Sequence, residues 1–351
     1  QGINMPKKPA LGLAVGSEAG CEGILGGGQK AFDITASGTF NLDDFKVKST
    51  GIQQTPAGTG PISTLQMSDL QVDSKALGEG ASGTVRRAVH LPTQRQIALK
   101  AINVNDKGKC EQMITELKTL LGAQSRGVCP NLVEFYDAFW SDPVMYIAME
   151  LMDAGSLDAA LKRCPKPTEE VVSIITRQLL QGLHFLHKER HNIHRDLKPG
   201  NVLLHSSGAV KLADFGISRA MDNTMAQAET FTGTAIYMSP ERMQGKRYSF
   251  PADVWAVGLI ATECVLGKYP YNVRPDMKYF DLVLTILNQN PPSPGPEYSA
   301  EFNEFVAICL HKQEQSRGTC EQLLQHPFIL RYAQSSESVV AEWLRGEKME
   351  S

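Results

Sequence analysis

The chain has 351 residues, room for about two domains at roughly 150 residues each. Lysine and arginine number 35 and aspartate and glutamate 38, a net charge of −3, which argues against a nucleic-acid binder because such a protein needs a basic face. Hydrophobic residues make up 42% and charged residues 21%, so the chain can bury a core. Its longest apolar stretch, 254–267, is interrupted by Glu263 and is too short to span a bilayer. Lys7 and Lys8 precede a Gly-rich segment rather than an apolar run, so no secretory leader is expected. Seven scattered cysteines with no C-x-x-C pair imply neither a disulfide framework nor a zinc ribbon, and a reduced, cytoplasmic setting.

Residues 1–66 are rich in Gly, Ser, Thr, Pro and Gln, and are expected to be a mostly flexible tail. Within them, 37–53 is denser in apolar residues and suggests a short strand pair docked on the folded body. From Leu70 the runs LQVDSKALGEG, TVRRAVHL and RQIALKAIN alternate apolar and polar residues and read as antiparallel strands. KCEQMITELKTLLGAQ follows, with Met113, Leu117, Leu120 and Leu121 at helical spacing. LVEFYDAFW and VMYIAMELM read as two further strands. After Gly155 the pattern turns helical, in VVSIITRQLLQGLHFLHKE, PADVWAVGLIATECVLG, YFDLVLTILNQ and EFVAICLHK. PPSPGP, at 291–296, reads as a stiff loop. The expectation is an α+β fold of two lobes with a cleft between them. A β-rich N-lobe spans about 67–153 and a mainly helical C-lobe about 154–331, with 332–351 as a C-terminal extension.

The Gly78-x-Gly80-x-x-Gly83-x-Val85 run is ambiguous alone, because the same spacing opens dinucleotide-binding units or makes a plain turn. Val85–Val89 continues as a strand, so these glycines cap a hairpin whose amides can approach phosphate. Lys100 ends the next strand, and Glu116, on an apolar helix face, is its natural ionic partner. The strongest signal is His194-Arg195-Asp196-Leu197-Lys198-Pro199-Gly200-Asn201, then Asp214-Phe215-Gly216 and Ser239-Pro240-Glu241. With LGEGASGTV and IALK these stand in the order of the protein-kinase signature set, and from about Leu70 to Leu330 the chain resembles that family.

The resemblance implies the bilobal protein kinase fold and ATP-dependent phosphoryl transfer, with ATP and Mg²⁺ as cofactors. Asp196 would accept the substrate hydroxyl's proton, and Lys198 would neutralise the γ-phosphate. Lys100, fixed by Glu116, would contact the α- and β-phosphates, while Asn201 and Asp214 would hold Mg²⁺. It places ATP against Leu77, Gly78, Glu79, Gly80, Ala81, Ser82, Gly83, Val85, Ala98, Lys100, Met149, Glu150, Met152 and Leu203. Phe215, His194 and Leu120 would be packing links, Glu241 would pair with Arg317, and Asp253 would brace the catalytic loop.

Lys198 suits the Ser/Thr branch, and Gly233-Thr-Ala-Ile-Tyr-Met-Ser-Pro-Glu-Arg242 resembles the MAP kinase kinase family, as does the hinge run Met149–Leu157. That resemblance implies dual specificity toward Thr and Tyr of a downstream MAP kinase. It also implies activation by an upstream MAP kinase kinase kinase at Thr224 and Thr230. These two are separated by five residues as in plant-type members, and Thr232 is the runner-up to Thr230. A related Ser/Thr kinase of the same cascade and a pseudokinase scaffold are the alternatives. A monomer or transient complexes are expected, with no membrane insertion. Lys7, Lys8, Leu11 and Leu13 have the form of a docking peptide, charges for an acidic patch and leucines for a groove, although a plain tail carries such a pattern too. Deleting residues 1–15 is expected to weaken binding to a cognate MAP kinase, by titration calorimetry, and to leave ATP turnover unchanged; equal affinity removes the docking role.

Overall fold

The computed structural model describes residues 22–24, 30–34, 40–42, 45–54, 65–80, 83–103, 129–141, 144–213, 235–247, 249–273 and 277–346. Five short strands come first: β1 (Glu22–Ile24), β2 (Lys30–Ile34), β3 (Phe40–Leu42), β4 (Phe45–Lys48) and β5 (Gly51–Gln54). They form one antiparallel sheet in chain order.

A second sheet holds β6 (Leu70–Gly80), β7 (Gly83–His90), β8 (Arg95–Asn103), β9 (Phe135–Ser141) and β10 (Val144–Glu150), in the order β6-β7-β8-β10-β9. All its pairings are antiparallel. Side chains alternate between the faces of a strand, and the register sorts them cleanly. Ile97 lies opposite Ala88, and Leu99 opposite Ala148. These four join Leu65, Leu70 and Phe139 in a buried cluster on one face. The other face carries Val85, Ala98, Lys100, Ile147 and Met149, which are cross-strand neighbours or two residues apart.

Strand β9 is the edge of this sheet, and a bare edge invites pairing with another chain. Here β4 and β5 lie against it. Val47 is fully buried in the cluster that holds Ile102, Trp140 and Met145. On the opposite face Leu65 is buried and its amide donates to Asp137 Oδ2 at 3.2 Å. Val47, in the run expected to dock as strands, and Leu65, in the stretch expected to be flexible, thus supply one core side chain to each face.

The helical half contains β11 (Gly155–Ser156), α1 (Leu157–Arg163), α2 (Glu169–Lys188), β12 (Val202–Leu204), β13 (Val210–Leu212), α3 (Pro240–Met243) and α4 (Phe250–Leu266). It continues with α5 (Tyr279–Asn288), α6 (Ala300–Cys309), α7 (Cys320–Leu324), α8 (Pro327–Leu330) and α9 (Ser338–Arg345). Strands β11-β12-β13 make a small third sheet. Thr168 caps α2 by accepting from the Val171 amide, with Glu169 and Glu170 in the first turn and His187 and Lys188 in the last, a charge order that suits the helix dipole.

Helix α4 is apolar nearly all round and is buried accordingly. It contacts both α2 and α6. Gly258 makes the α6 contact possible, because a Cβ there would stand 2.7 Å from Cys309 Cβ and 2.8 Å from Leu310 Cδ2. At the C-terminus Val340, Trp343 and Leu344 are buried, and Trp343 Nε1 donates to the Pro165 carbonyl at 2.7 Å.

The strands expected over 70–80, 84–91 and 95–103 stand within a residue of those limits, and the four long helices expected after Gly155 are present. The helix expected over 109–124 lies outside the described residues. Val47→Ala is expected to lower stability by about 1–2 kcal/mol, from lost apolar burial. Urea unfolding checks this, and an unchanged midpoint means the N-terminal strands are not part of the cooperative unit.

Candidate active site

The glycine run closes the β6–β7 hairpin, with Gly80 opposite Gly83. No helix follows, so the dinucleotide-binding alternative fails. Gly83 has φ +127°, and a Cβ there would meet the Ala101 carbonyl oxygen at 2.5 Å, so only glycine fits. Leu77, Gly78 and Glu79 are exposed, while Ala81 and Ser82 lie outside the described residues. Val85, Ala98, Lys100 and Met149 share the sheet face opposite the outer cluster. Lys100 is 2% exposed, a burial that a lysine accepts only with partners for its ammonium. Glu116, its expected partner, lies outside the described residues.

Glu150 ends β10, and its carboxylate turns to the helical half. Its Oε2 takes a 2.7 Å ion pair from Lys211 on β13 and a 3.2 Å hydrogen bond from the Glu134 amide. Its own amide donates to the Glu134 carbonyl at 2.9 Å. Met152 is buried, and its carbonyl accepts from the Gly155 amide. Leu203 is half-buried between the buried Val202 and Leu204, in register with Ser156 and Lys211.

The loop between α2 and β12 brings the polar residues together. Lys198 Nζ lies 3.0 and 3.3 Å from the two Asp196 oxygens. Asn201 Nδ2 donates to Asp196 Oδ2 at 2.9 Å and to the Asp196 carbonyl at 2.7 Å. The Asn201 carbonyl accepts the Ala213 amide at 2.9 Å, and His194 Nε2 is 3.0 Å from the Ala213 carbonyl. The chain entering position 214 is thereby fastened beside Asn201. Asp214 itself, and Thr224 and Thr230, lie outside the described residues, as do Lys7, Lys8, Leu11 and Leu13.

Asp253 holds this loop from α4. It is 2% exposed, and it accepts the amides of His194 at 2.9 Å and Arg195 at 3.0 Å. Arg195 has φ +71°, an uncommon conformation for a long side chain that the two bonds secure. Burial pushes the Asp253 carboxyl up, but the hydrogen bonds from His187 and from the His194 amide outweigh it, and it stays below the ordinary aspartate value.

The expected Glu241–Arg317 pair is present and bidentate, at 2.8 and 2.7 Å. Two contacts were not legible. His187 Nε2 lies 2.8 Å from Asp253 Oδ2, and Tyr237 donates to Glu263 Oε2 at 2.5 Å. His187 closes an amphipathic helix and Glu263 interrupts an apolar one; neither pattern names its partner. Burial pushes the Glu263 carboxyl up, the Tyr237 bond opposing it.

A protein kinase domain matches residues 72–329. Mitogen-activated protein kinase kinase 2 of Arabidopsis thaliana is 40% identical over 314 residues, 85% of either chain. Dual specificity mitogen-activated protein kinase kinase dSOR1 of Drosophila melanogaster is 38% identical over 293 residues, 76% of this chain and 72% of that one. Mitogen-activated protein kinase kinase 3 of Arabidopsis thaliana is 44% identical over 262 residues, 73% of this chain; this match spans about half of that relative, 49%.

Burial pushes the Glu241 carboxyl up, but the hydrogen bonds and charge of Arg317 prevail and hold it below its ordinary 4.5. The pair's stabilisation is therefore full above the ordinary glutamate value. It is lost as pH falls through the depressed one. Glu241→Gln is expected to cost about 3–5 kcal/mol at pH 7, since it leaves a buried guanidinium uncompensated. Its melting temperature should also fall less than that of the unchanged protein between pH 7 and pH 4; equal acid slopes would remove Glu241 from the linkage.

Proposed function

The chain belongs to the MAP kinase kinase family of protein kinases, and on that basis we propose that it transfers the γ-phosphate of ATP to a Thr and a Tyr in the activation loop of a MAP kinase. The observation that carries the chemistry is the Asp196–Lys198–Asn201 cluster, in which the lysine ammonium and the asparagine amide both meet the Asp196 carboxylate.

Phosphoryl transfer depends on positioning and charge neutralisation. Asp196 takes the proton of the attacking hydroxyl. Lys198, 3.0 Å from it, brings the γ-phosphate beside that carboxylate. Asn201 commits its amide nitrogen to Asp196, which leaves its side-chain oxygen as a donor of the kind a hard cation takes. Asn201 and Asp214 would hold Mg²⁺, which when bound neutralises phosphate charge. Lys100 and Glu116 serve the α- and β-phosphates, and the glycine hairpin closes over them. Adenine meets the face with Val85, Ala98 and Met149, together with Leu203 and the hinge backbone from Glu150 to Met152. Glu150 contributes only backbone, its carboxylate being engaged by Lys211.

An upstream MAP kinase kinase kinase phosphorylates Thr224 and Thr230, and a phosphate of about −1.5 to −2 charges pairs with Arg195. The N-terminal Lys7, Lys8, Leu11 and Leu13 dock the MAP kinase. The enzyme works in the cytoplasm as a monomer forming transient complexes. Among the described residues no helix is long and apolar enough to cross a membrane. The presence of Lys100, Asp196, Asn201 and Asp214 together disfavours a scaffold without activity.

The test is incubation with ATP, Mg²⁺ and an inactive MAP kinase, with phosphosites mapped by mass spectrometry. Phosphate on both Thr and Tyr is expected. Asp196→Asn should lower kcat by about a thousandfold or more with little change in ATP affinity. Thr224→Ala/Thr230→Ala should escape activation by an upstream kinase. Phosphate on neither Thr nor Tyr overturns the substrate assignment.

A further inference from the structure

The catalytic loop's brace continues one residue beyond Asp253 and His187. His187 Nδ1, the ring nitrogen turned away from Asp253, lies 3.6 Å from Cys320 Sγ on α7. Cys320 is 3% exposed and His187 8%. The Phe250 ring covers the imidazole, with centroids 4.6 Å apart and planes tilted by 35°. Asp253 and Cys320 are the titratable groups in hydrogen-bond contact with the imidazole.

The donors can be assigned in sequence. Asp253 Oδ2 already accepts the His194 amide and Oδ1 the Arg195 amide, and its carboxyl is held ionised. An ionised carboxylate only accepts, so His187 Nε2 carries the hydrogen in that bond. Burial, with the nearby Asp253 charge, pushes the Cys320 thiol up to about 12, so it keeps its proton near neutral pH. A protonated thiol is a weak donor, and the Nδ1 lone pair is the acceptor it faces. The tautomer of a histidine is set by the bond its other nitrogen makes.

We propose that Cys320 is a positioning residue for the phosphoryl-transfer reaction: its S–H donates to His187 Nδ1, fixes the neutral Nε2–H tautomer, and so holds Asp253 on the His194 and Arg195 amides. Loss of the thiol leaves Nδ1 without its donor, so the ring hydrogen is free to exchange between the two nitrogens. The Nε2–H bond to Asp253 Oδ2, the oxygen that also accepts the His194 amide two residues from Asp196, is then no longer fixed.

The inference rests on the chain being a protein kinase and not on which protein it phosphorylates. Steady-state ATP turnover by the full chain, without a MAP kinase, therefore reads it even if the substrate assignment fails. Nitrogen-15 NMR of histidine-labelled protein reports the two ring nitrogens of His187, assigned through His187→Gln. In the unchanged protein Nε2 should carry the hydrogen and Nδ1 should show the shift of an accepting nitrogen. Cys320→Ala should move the Nδ1 resonance toward a protonated nitrogen and lower kcat by about threefold with KM for ATP unchanged. Cys320→Ser, which keeps a donor, should restore both.

An unmoved Nδ1 resonance in Cys320→Ala overturns the proposal. So does a moved resonance with an unchanged kcat, or a serine variant that behaves like alanine, since the loss is then one of packing. If the alanine variant does not fold, the serine variant carries the test. Its Nδ1 shift should remain that of an accepting nitrogen and respond to the exchange of S–H for O–H, and no response overturns the assignment.

Discussion

One buried carboxylate organises the loop that carries Asp196. Asp253 sits on a deeply buried helix and turns both oxygens to the start of that loop. A charge at such depth is costly in isolation, and the two loop amides with His187 Nε2 supply the compensation. The dependence runs both ways: without the carboxylate the loop amides lie buried and unpaired, and Arg195 loses the bond that secures its φ of +71°. Rigidity at Asp196 is borrowed from α4 packing, with Gly258 letting α6 close on that helix.

The N-lobe is organised by a different rule, the period of two along a strand. Ile97 and Leu99 turn to the outer cluster, so Ala98 and Lys100 are turned to the other face. The same alternation that stabilises the sheet delivers a buried lysine to the face opposite the outer cluster, with no loop needed to carry it. The lobes are tied where β10 ends. Glu150 bonds to Glu134 in its own lobe and to Lys211 across the connection, which fixes the direction in which the chain leaves the sheet.

Legibility in the sequence followed the range of the interactions. Strands β6 to β8 and helices α2, α4 and α5 are written locally, in alternation, helical spacing and bounding Gly or Pro residues. The order of His194–Asn201, Asp214–Gly216 and Ser239–Glu241 pointed to the proposed site because several motifs standing in one order are read together, whatever the distance between them. Glu241 with Arg317 was anticipated only through family resemblance, for the two stand 76 residues apart. Leu65 escaped because composition averages over a segment, whereas Val47 falls in 37–53, the denser run expected to dock on the folded body. One apolar side chain in a Gly- and Ser-rich stretch does not alter its mean, yet Leu65 finds a face of the sheet to bury against. His187 escaped because its chemistry lies in the partners at its two nitrogens, 66 and 133 residues away.

The bonds that flank 214–234 bear on the phosphorylation proposed for Thr224 and Thr230. On the upstream side the Ala213 amide and carbonyl are held by Asn201 and His194. On the downstream side Tyr237 is tied to Glu263, Tyr269 to the Ile236 carbonyl, and Glu241 to Arg317. The Glu241–Arg317 anchor is a bidentate ion pair shielded from water, so screening by salt reaches it weakly. A phosphate added between the two anchors meets fixed ends. Closing a segment whose ends are already held costs little further chain entropy, and the added charge can be spent on local contacts such as one to Arg195. Arg195 is itself held through its amide by Asp253, so a contact made at its guanidinium is made on the brace that orients Asp196.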